Sequence, residues 1–294
     1  MDKIFKAGFV SIIGKPNVGK STLMNKIIGE KLSIISPKPQ TTRQQVKGIY
    51  TDDQRQIVFL DTPGFVEARY ELHKKMLDYF MNSINDSDLV IFITDAHQFP
   101  TNYDEKILKL LAKIKTPMIA MLNKIDLTLP KIVKEKKNNL KNHAFKKVIP
   151  ISLLNKENFS NLVEWISEFL PLNPPFYDPK EISDLPMRFF VQEIVREQIF
   201  LNYQKEIPYA STVVVEEYKD FENKVKIYAN IWIESKSQKP ILIGKKGKKI
   251  KKIRIASEKE IHKIVQKRVS LDLWIKIKPN WRKKKNALKE FGYR

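Results

Sequence analysis

The chain has 294 residues, with 54 Lys and Arg against 33 Asp and Glu, no cysteine and a formal net charge of +21. This length allows two domains with a substantial core, and the lack of cysteine excludes disulfides, thiol nucleophiles and cysteine-ligated zinc. The four histidines, His73, His97, His143 and His262, are scattered without the spacing of metal ligands.

No apolar run approaches the roughly 20 residues that a membrane-spanning helix needs, and the sequence opens without an apolar targeting segment. We therefore expect a cytoplasmic protein. Because the chain is so basic, peripheral attachment to anionic lipid on the cytoplasmic face of the membrane stays open.

The first predicted strand, 7–13, leads into a segment with the pattern G-x-x-x-x-G-K-[ST], and a helix is predicted to open at Ser21. In such a loop, backbone N–H groups surround phosphates, Lys20 reaches the terminal phosphates and the Ser21 hydroxyl ligates Mg²⁺. The alternative is a chance match in a glycine-containing turn. The predicted nucleotide-binding residues are Gly14, Lys15, Pro16, Asn17, Val18, Gly19, Lys20, Ser21 and Thr22.

A Pro-rich segment, 37–43, lies between the first helix and the next strand. Such a loop can supply a hydroxyl to Mg²⁺ only when the γ-phosphate is present, which would make it a switch. We favour Thr42 as the ligand, although spacing does not separate it from Thr41, and a Pro-rich turn with capping hydroxyls is the alternative.

A second buried strand is predicted at 56–60, and it ends in Asp61, Thr62, Pro63 and Gly64. Asp61 would support the metal site through water, and the N–H of Gly64 would approach the γ-phosphate. Phe65 follows, and a phenyl ring cannot orient an attacking water. We therefore predict slow intrinsic hydrolysis that depends on another component.

Two further strands, at 117–122 and 148–151, precede the residues predicted to contact the base. Asn123, Lys124 and Asp126 match the pattern N-K-x-D, in which the carboxylate accepts hydrogen bonds from the guanine ring N–H and its amine. Adenine would leave this carboxylate unpaired. A solvated turn is the alternative for this string. Ser152, followed by Leu153, would contact the base through its backbone. For catalysis we single out Lys20, Asn17, Thr42, Asp61 and Gly64.

Prolines interrupt the pattern after a predicted helix at 161–169. We predict a nucleotide-binding domain over 1–172, a linker over 173–186 and a second domain over 187–294.

The second domain has predicted elements in the order α-β-β-α-α-β, with a helix over 187–203, strands at 212–218 and 224–233, a basic helix from 248 to about 268 and a strand over 271–277. Gly244 and Gly247 form a G-x-x-G turn before the basic helix, as in K-homology domains that bind single-stranded nucleic acid. From 236 to 294 there are 21 Lys and Arg against 4 Asp and Glu, a net +17. A merely solvated cationic helix is the alternative. The predicted RNA-binding residues are Ile243, Gly244, Lys245, Lys246, Gly247, Lys248, Lys249 and Lys252.

Taken together, the sequence resembles the bacterial Era GTPases over essentially its whole length. Strings outside the nucleotide motifs carry this resemblance, namely Pro39-Gln40-Thr41-Thr42-Arg43, Arg188-Phe189-Phe190, Glu193-Ile194-Val195-Arg196-Glu197, Glu206-Ile207-Pro208-Tyr209, Ser237-Gln238-Lys239-Pro240 and Asn280-Trp281-Arg282. The resemblance implies an α/β P-loop GTPase domain, with a mostly parallel sheet and helices on both faces, followed by an α+β type II K-homology domain.

The resemblance also implies a function: a GTP-hydrolysing switch, stimulated by RNA, that binds the 3′ end of 16S ribosomal RNA and assists assembly of the 30S subunit. Links to the anionic inner membrane and to cell-cycle control are further implications, and a monomer is expected. The resemblance implies that Asn17 helps to hold a monovalent cation such as K⁺. Leu153 departs from the alanine usual at its position, which makes the assigned base contact less secure.

Two other functions stay open at this point. One is a membrane-associated regulatory GTPase whose basic domain binds anionic surfaces without RNA specificity. The other is a nonenzymatic RNA-binding protein, against which the intact Lys20, Ser21, Asp61 and Asp126 argue.

Overall fold

The computed structural model describes residues 5–293 and divides the chain into two compact units. The first comprises the residues up to Ser33, Thr42–Ala68 and Met76–Asp184, and the second comprises Ile34–Thr41, Arg69–Lys75 and the chain from Leu185 onward. Two short stretches of the predicted nucleotide-binding domain therefore belong to the second unit. Residues 1–4 and 294, at the two ends of the predicted domains, lie outside the described part. No helix within 5–293 is long and apolar enough to cross a membrane.

The first unit alternates strands and helices. Its strands are β1 (Lys6–Ile13), β2 (Val46–Thr51), β3 (Arg55–Asp61), β4 (Leu89–Asp95), β5 (Met118–Asn123) and β6 (Lys147–Pro150). Its helices are α1 (Lys20–Ile28), α2 (Glu71–Asn85), α3 (Asn102–Leu111), α4 (Pro130–Lys141) and α5 (Leu162–Ser167), with the first residues of α2 falling in the second unit. The four strands predicted at 7–13, 56–60, 117–122 and 148–151 are confirmed to within one residue at each end.

One six-stranded sheet, in the order β2-β3-β1-β4-β5-β6, forms the centre of this unit. β2 is antiparallel to β3, and all other neighbours are parallel. Every residue of β4 is buried, as expected for a parallel strand covered on both faces. Because parallel strands end on the same edge, the loops after β1, β4 and β5 open together, where α/β folds bind their ligands.

Residues 173–184 pack along the antiparallel side of this sheet. The N–H of Ile49 in β2 donates to the carbonyl of Ile182 at 2.9 Å, and the side-chain oxygen of Gln56 accepts from the N–H of Tyr177 at 3.0 Å. The sequence predicted a linker over 173–186, whereas the structure assigns 173–184 to the first unit. The prolines there remove some donors but leave enough N–H and carbonyl groups for these bonds.

Within its described residues, the second unit contains a three-stranded sheet and five α-helices that lie wholly inside it. They are α6 (Met187–Asn202), α7 (Ile207–Ala210), β7 (Thr212–Asp220), β8 (Lys224–Ile233), α8 (Gln238–Ile243), α9 (Lys248–Val265), β9 (Arg268–Ile277) and α10 (Lys285–Glu290). β8 lies between β7, to which it is antiparallel, and β9, to which it is parallel. The predicted order α-β-β-α-α-β is confirmed, with the short α7 and α10 in addition.

Hydrophobic residues at alternate positions of β8 contribute to the core of this unit. Val225, Ile227 and Ile231 are fully buried and share one cluster with Ile194 of α6 and Ile253 of α9. Hydrophobic residues at every second position therefore face the helices on one side of the sheet.

The basic helix ends earlier than predicted. Gln266 adopts a left-handed conformation with φ 55°, and its N–H returns to the carbonyl of His262, which closes α9 at Val265. This turn frees Arg268 to begin β9, so the prediction that the helix continues to about 268 is wrong.

Candidate functional site

The loop between β1 and α1 is packed against its neighbours. A Cβ on Gly14 would lie 2.2 Å from the carbonyl oxygen of Ile93, and one on Gly19 would lie 2.5 Å from the side-chain nitrogen of Asn123. Asn17 takes a left-handed φ of 64°. The loop therefore follows a path that excludes side chains at two points, and it directs the N-terminus of α1 to the edge of the sheet where phosphate groups bind.

Lys20, the first residue of α1, is buried, and its ammonium donates to the carbonyl oxygen of Lys15 at 2.9 Å. Burial lowers the pKa of Lys20 to about 8, and the charge of Asp61 opposes this shift. The protonated side chain is therefore short of stabilising charge in its surroundings, which a phosphate would supply.

Three oxygen-bearing side chains meet beside this lysine. The Ser21 hydroxyl donates to Oδ2 of Asp61 at 2.6 Å and lies 3.1 Å from the hydroxyl of Thr42. Oδ1 of Asp61 is buried and has no hydrogen-bond partner among residues 5–293. Burial raises the pKa of Asp61, against the effects of the Ser21 hydrogen bond and the Lys20 charge. Hydroxyl and carboxylate oxygens with an unpaired buried lone pair fit Mg²⁺.

The structure separates the two threonines of the predicted switch. Thr42 faces Ser21, whereas the hydroxyl of Thr41 donates to the carbonyl of Lys38 at 2.7 Å. Of the two candidates, only Thr42 is therefore placed to share a metal ion with Ser21.

The motif after β3 packs directly on the phosphate loop. The Thr62 hydroxyl donates to the carbonyl of Ile12 at 3.0 Å, and a Cβ on Gly64 would lie 2.8 Å from the nitrogen of Pro16. Pro63 lies between them in the chain, and the N–H of Phe65 donates to the carbonyl of Gly14. This close approach needs glycine at 64.

Phe65 points into the core. Its ring packs edge-to-face against Phe80 and Tyr103, with ring centroids 5.6 and 6.1 Å away. The phenyl group is therefore part of the packing between β-sheet and helices, and the reacting water must be oriented by other groups.

The base-binding motif connects three loops. Nδ2 of Asn123 donates to the carbonyl of Val18 at 2.8 Å, and Oδ1 accepts from the N–H of Leu153 at 3.1 Å. The ammonium of Lys124 lies 2.7 Å from a carboxylate oxygen of Asp95. Asn123 thus holds the phosphate loop and the fifth motif together, and Asp95 holds Lys124.

Ser152 contributes its side chain as well as its backbone. Its hydroxyl donates to Oδ1 of Asp126, a contact that the sequence did not suggest. Leu153 is buried, and its methyl group would lie 3.1 Å from a Cβ on Gly19. The larger side chain at 153 therefore fills space behind the phosphate loop.

Sequence reasoning missed the acidic partners Asp95 and Asp104. Asp95 ends β4 at the edge where ligands bind, and Asp104 lies three residues after Thr101 in a capping box that starts α3. Both signals, a carboxylate at the end of a parallel strand and a T-x-x-D cap, are readable in the sequence.

The G-x-x-G turn joins α8 to α9 in the second unit. Gly244 has φ 69° and ψ 173°, a region that essentially only glycine occupies, and Gly247 is left-handed at φ 74°. Lys246 between them is also left-handed at φ 51°. The ammonium of Lys249 lies 5.5 Å from the ring centre of Tyr203.

All five predicted RNA-binding lysines are exposed around this turn, whereas Ile243 is half-buried. The exposed set is Lys245, Lys246, Lys248, Lys249 and Lys252, with Lys251 beside them. The apolar side chains of Ile241 and Ile255, which the prediction omitted, are also exposed. The turn and its neighbours thus offer exposed cationic and exposed apolar side chains, the combination used for single-stranded nucleic acid.

The segment 34–41, just before Thr42, is bonded to α6 within the second unit. The guanidinium of Arg196 donates to the carbonyl of Thr41. The N–H of Ile35 donates to Glu197 at 3.0 Å, and the ammonium of Lys38 donates to the carbonyl oxygens of Phe200 and Tyr203. The sequence pattern did not reveal this docking.

Comparisons with known proteins agree with both parts of the geometry. Residues 9–124 match the family model "50S ribosome-binding GTPase", and residues 206–282 match the model "KH domain". The chain is 44% identical to GTPase Era of Halothermothrix orenii over 291 residues, covering 99% of each chain. It is 42% identical to GTPase Era of Geotalea daltonii, covering 98% of each.

Two solved structures are similar over 98% of this chain and 99% of their own, each with a TM-score of 0.94. One, 36% identical, is Era in complex with MgGDPNP and nucleotides 1506–1542 of 16S ribosomal RNA. The other, 37% identical, is an Aquifex aeolicus Era variant bound to GDP and AlF₄⁻. With its phosphate loop, guanine motif and K-homology fold, the chain belongs to the Era GTPase family and is a GTPase.

Proposed function

We propose that this GTPase is a switch that binds the 3′ end of 16S ribosomal RNA and assists assembly of the 30S subunit. One observation supports the coupling most directly. Thr41 is bonded to α6 in the unit that carries the G-x-x-G turn, and the next residue, Thr42, faces Ser21 in the nucleotide-binding unit. A change at the γ-phosphate that moves Thr42 would therefore pull on α6.

At the nucleotide, this chain's residues divide the work of holding GTP. Lys20 and the loop amides bind the phosphates, the N–H of Gly64 donates to the γ-phosphate, and Asp126 accepts from the guanine ring. Ser21 and Thr42 would hold Mg²⁺, with Asp61 acting through water, and the ion would neutralise charge that develops on the phosphates. Asn123 fixes the base loop against the phosphate loop, and Asp95 at the end of β4 holds Lys124.

Phe65 can neither orient the attacking water nor stabilise the charge that develops during hydrolysis. We extend the proposal to a monovalent cation such as K⁺ near Asn17, whose left-handed backbone turns the loop at that point. Such a cation would take the place of an arginine that stabilises transition-state charge.

The RNA site would be the turn and the exposed lysines of α9. Their charge supplies affinity without reading sequence, and the exposed side chains of Ile241 and Ile255 would contact bases. The relative bound to nucleotides 1506–1542 of 16S ribosomal RNA supports this assignment. We place the protein in the cytoplasm as a monomer, with occasional attachment to anionic membrane and a link to the cell cycle.

The test is GTP hydrolysis with and without a short RNA that matches the 3′ end of 16S ribosomal RNA, beside a scrambled RNA of equal length. Equal length keeps the phosphate contribution constant. We expect stimulation by the matched RNA only. Equal effects of both RNAs, and of anionic vesicles, would instead favour the membrane-associated regulatory GTPase.

The same assay tests the coupling through Thr41. Arg196→Met and Lys38→Met should keep basal hydrolysis and RNA affinity but lower RNA stimulation about fivefold or more, since they release segment 34–41 from α6. Arg188→Met is the matched control, because Arg188 is an exposed arginine on the same helix. Full stimulation in both variants would refute the coupling.

A further inference from the structure

A buried ion pair lies behind the phosphate loop. The ammonium of Lys15 is 3.0 Å from Oδ2 of Asp104, and the two side chains are 7% and 0% exposed. Lys15 is the second residue of the loop, and Asp104 is in the first turn of α3. The lysine side chain therefore points away from the phosphates and into the unit.

The carboxylate of Asp104 is fully engaged. Oδ1 accepts from the Thr94 hydroxyl at 2.7 Å, and Oδ2 accepts from the N–H and hydroxyl of Thr101 at 2.9 and 2.7 Å. Such a set fixes the carboxylate in one place, at the end of β4 and the start of α3. A buried charge pair that is satisfied this well serves geometry more than stability, because an apolar pair of similar size is often as stable.

The carbonyl oxygen of this same Lys15 accepts the hydrogen bond from Lys20. An ammonium group has three donors, so this bond orients Lys20 while two donors remain for phosphate oxygens. Asp104, Lys15 and Lys20 thus form one continuous line of contacts from α3 to the phosphate-binding lysine.

We infer that Asp104 is a positioning residue for the GTPase reaction: by anchoring the side chain of Lys15, it sets the backbone of the phosphate loop and the direction of Lys20. Lys15 then acts on the nucleotide through its backbone. The sequence motif leaves the residue at position 15 unspecified, so this role comes from the geometry alone.

The test measures GDP affinity, the KM and kcat for GTP, and the thermal midpoint of four variants and one control variant. Lys15→Met and Asp104→Asn should weaken GDP binding and raise KM about ten- to hundredfold, with the preference for GTP over ATP unchanged, because the base site is intact. Asp104→Asn keeps an oxygen for the Thr101 cap. Lys15→Arg should keep most of the wild-type affinity, because arginine can still pair with the Asp104 carboxylate.

The double variant Lys15→Met with Asp104→Leu distinguishes an effect on the position of the phosphate loop from an effect on the stability of the fold. Replacing both charges should restore the thermal midpoint, yet GDP affinity should stay low because no directed contact holds the loop. Lys47→Met is the control, since it removes another ion pair of this unit, with Asp184 at 2.7 Å, and should leave GDP affinity unchanged. If the double variant regains both stability and affinity, or if Lys15→Met binds GDP normally, the inference is wrong.

Discussion

Burying the charges of Lys20 and Asp61 in the nucleotide site lowers the stability of the folded protein. Both side chains are buried, and burial lowers the pKa of Lys20 to about 8 while it raises the pKa of Asp61. The ordinary pKa of a lysine side chain is 10.5. Below pH 8, keeping Lys20 charged in the folded protein therefore lowers the free energy of unfolding by about 3 kcal/mol. The protein tolerates this cost because the same charge binds phosphate.

This cost predicts a pH dependence in the nucleotide-free protein. Between pH 8 and 10.5 the unfolded chain keeps the Lys20 proton and the folded chain loses it, so the free energy of unfolding should rise with pH in that window. Thermal unfolding across this range should therefore show the wild type gaining stability relative to Lys20→Arg, because a guanidinium stays charged throughout. A difference between the two that does not vary with pH would contradict the prediction.

Residues in the nucleotide motifs could be predicted from the sequence because their spacing follows from how a loop surrounds phosphates. Their partners could not. Lys15 and Asp104 are 89 residues apart in the chain, and Arg196 is 155 residues from Thr41. Only the folded arrangement of strands and helices brings such pairs together.

The G-x-x-G turn shows the same division at the scale of an element. Its glycines and its place between two helices follow from the sequence, but the two glycines are not equivalent in the structure. A Cβ on Gly244 would lie 2.6 Å from the side chain of Lys249, whereas one on Gly247 would have no atom of the described residues within 4 Å. The early end of α9 at Gln266 was missed because glutamine is an unusual residue in a left-handed cap.

We predict that Gly244→Ala destabilises the protein more than Gly247→Ala. The first should cost about 2–3 kcal/mol, because its φ and ψ suit only glycine and the new methyl group displaces Lys249. The second should cost about 1 kcal/mol, the usual penalty for a left-handed residue. Thermal or urea unfolding measures both, and Gly247→Asn is a milder control because asparagine tolerates this conformation. Equal losses for the two alanine variants would disprove the distinction.

At the scale of the whole molecule, the order of elements and the strong positive charge of the C-terminal part were predictable, because both are local properties of the sequence. The division into units was not, since 34–41 and 69–75 are grouped with the second unit and 173–184 with the first. Prolines mark where regular structure stops, but they do not show which surface a segment then packs against.

The packing of 173–184 along β2 has a consequence for aggregation. An edge strand with free N–H and carbonyl groups is a template for pairing with a second chain, and here Ile49 in β2 bonds to Ile182 while Lys47 accepts from Ser183 at 2.7 Å. A fragment ending at Asp184 should therefore stay monomeric, and one ending at Leu172 should self-associate, as size-exclusion chromatography and light scattering can measure. Identical behaviour of the two fragments would show that this edge needs no cover. Residues 173–184, which the sequence suggests are only a linker, would then prevent self-association by covering the edge of β2.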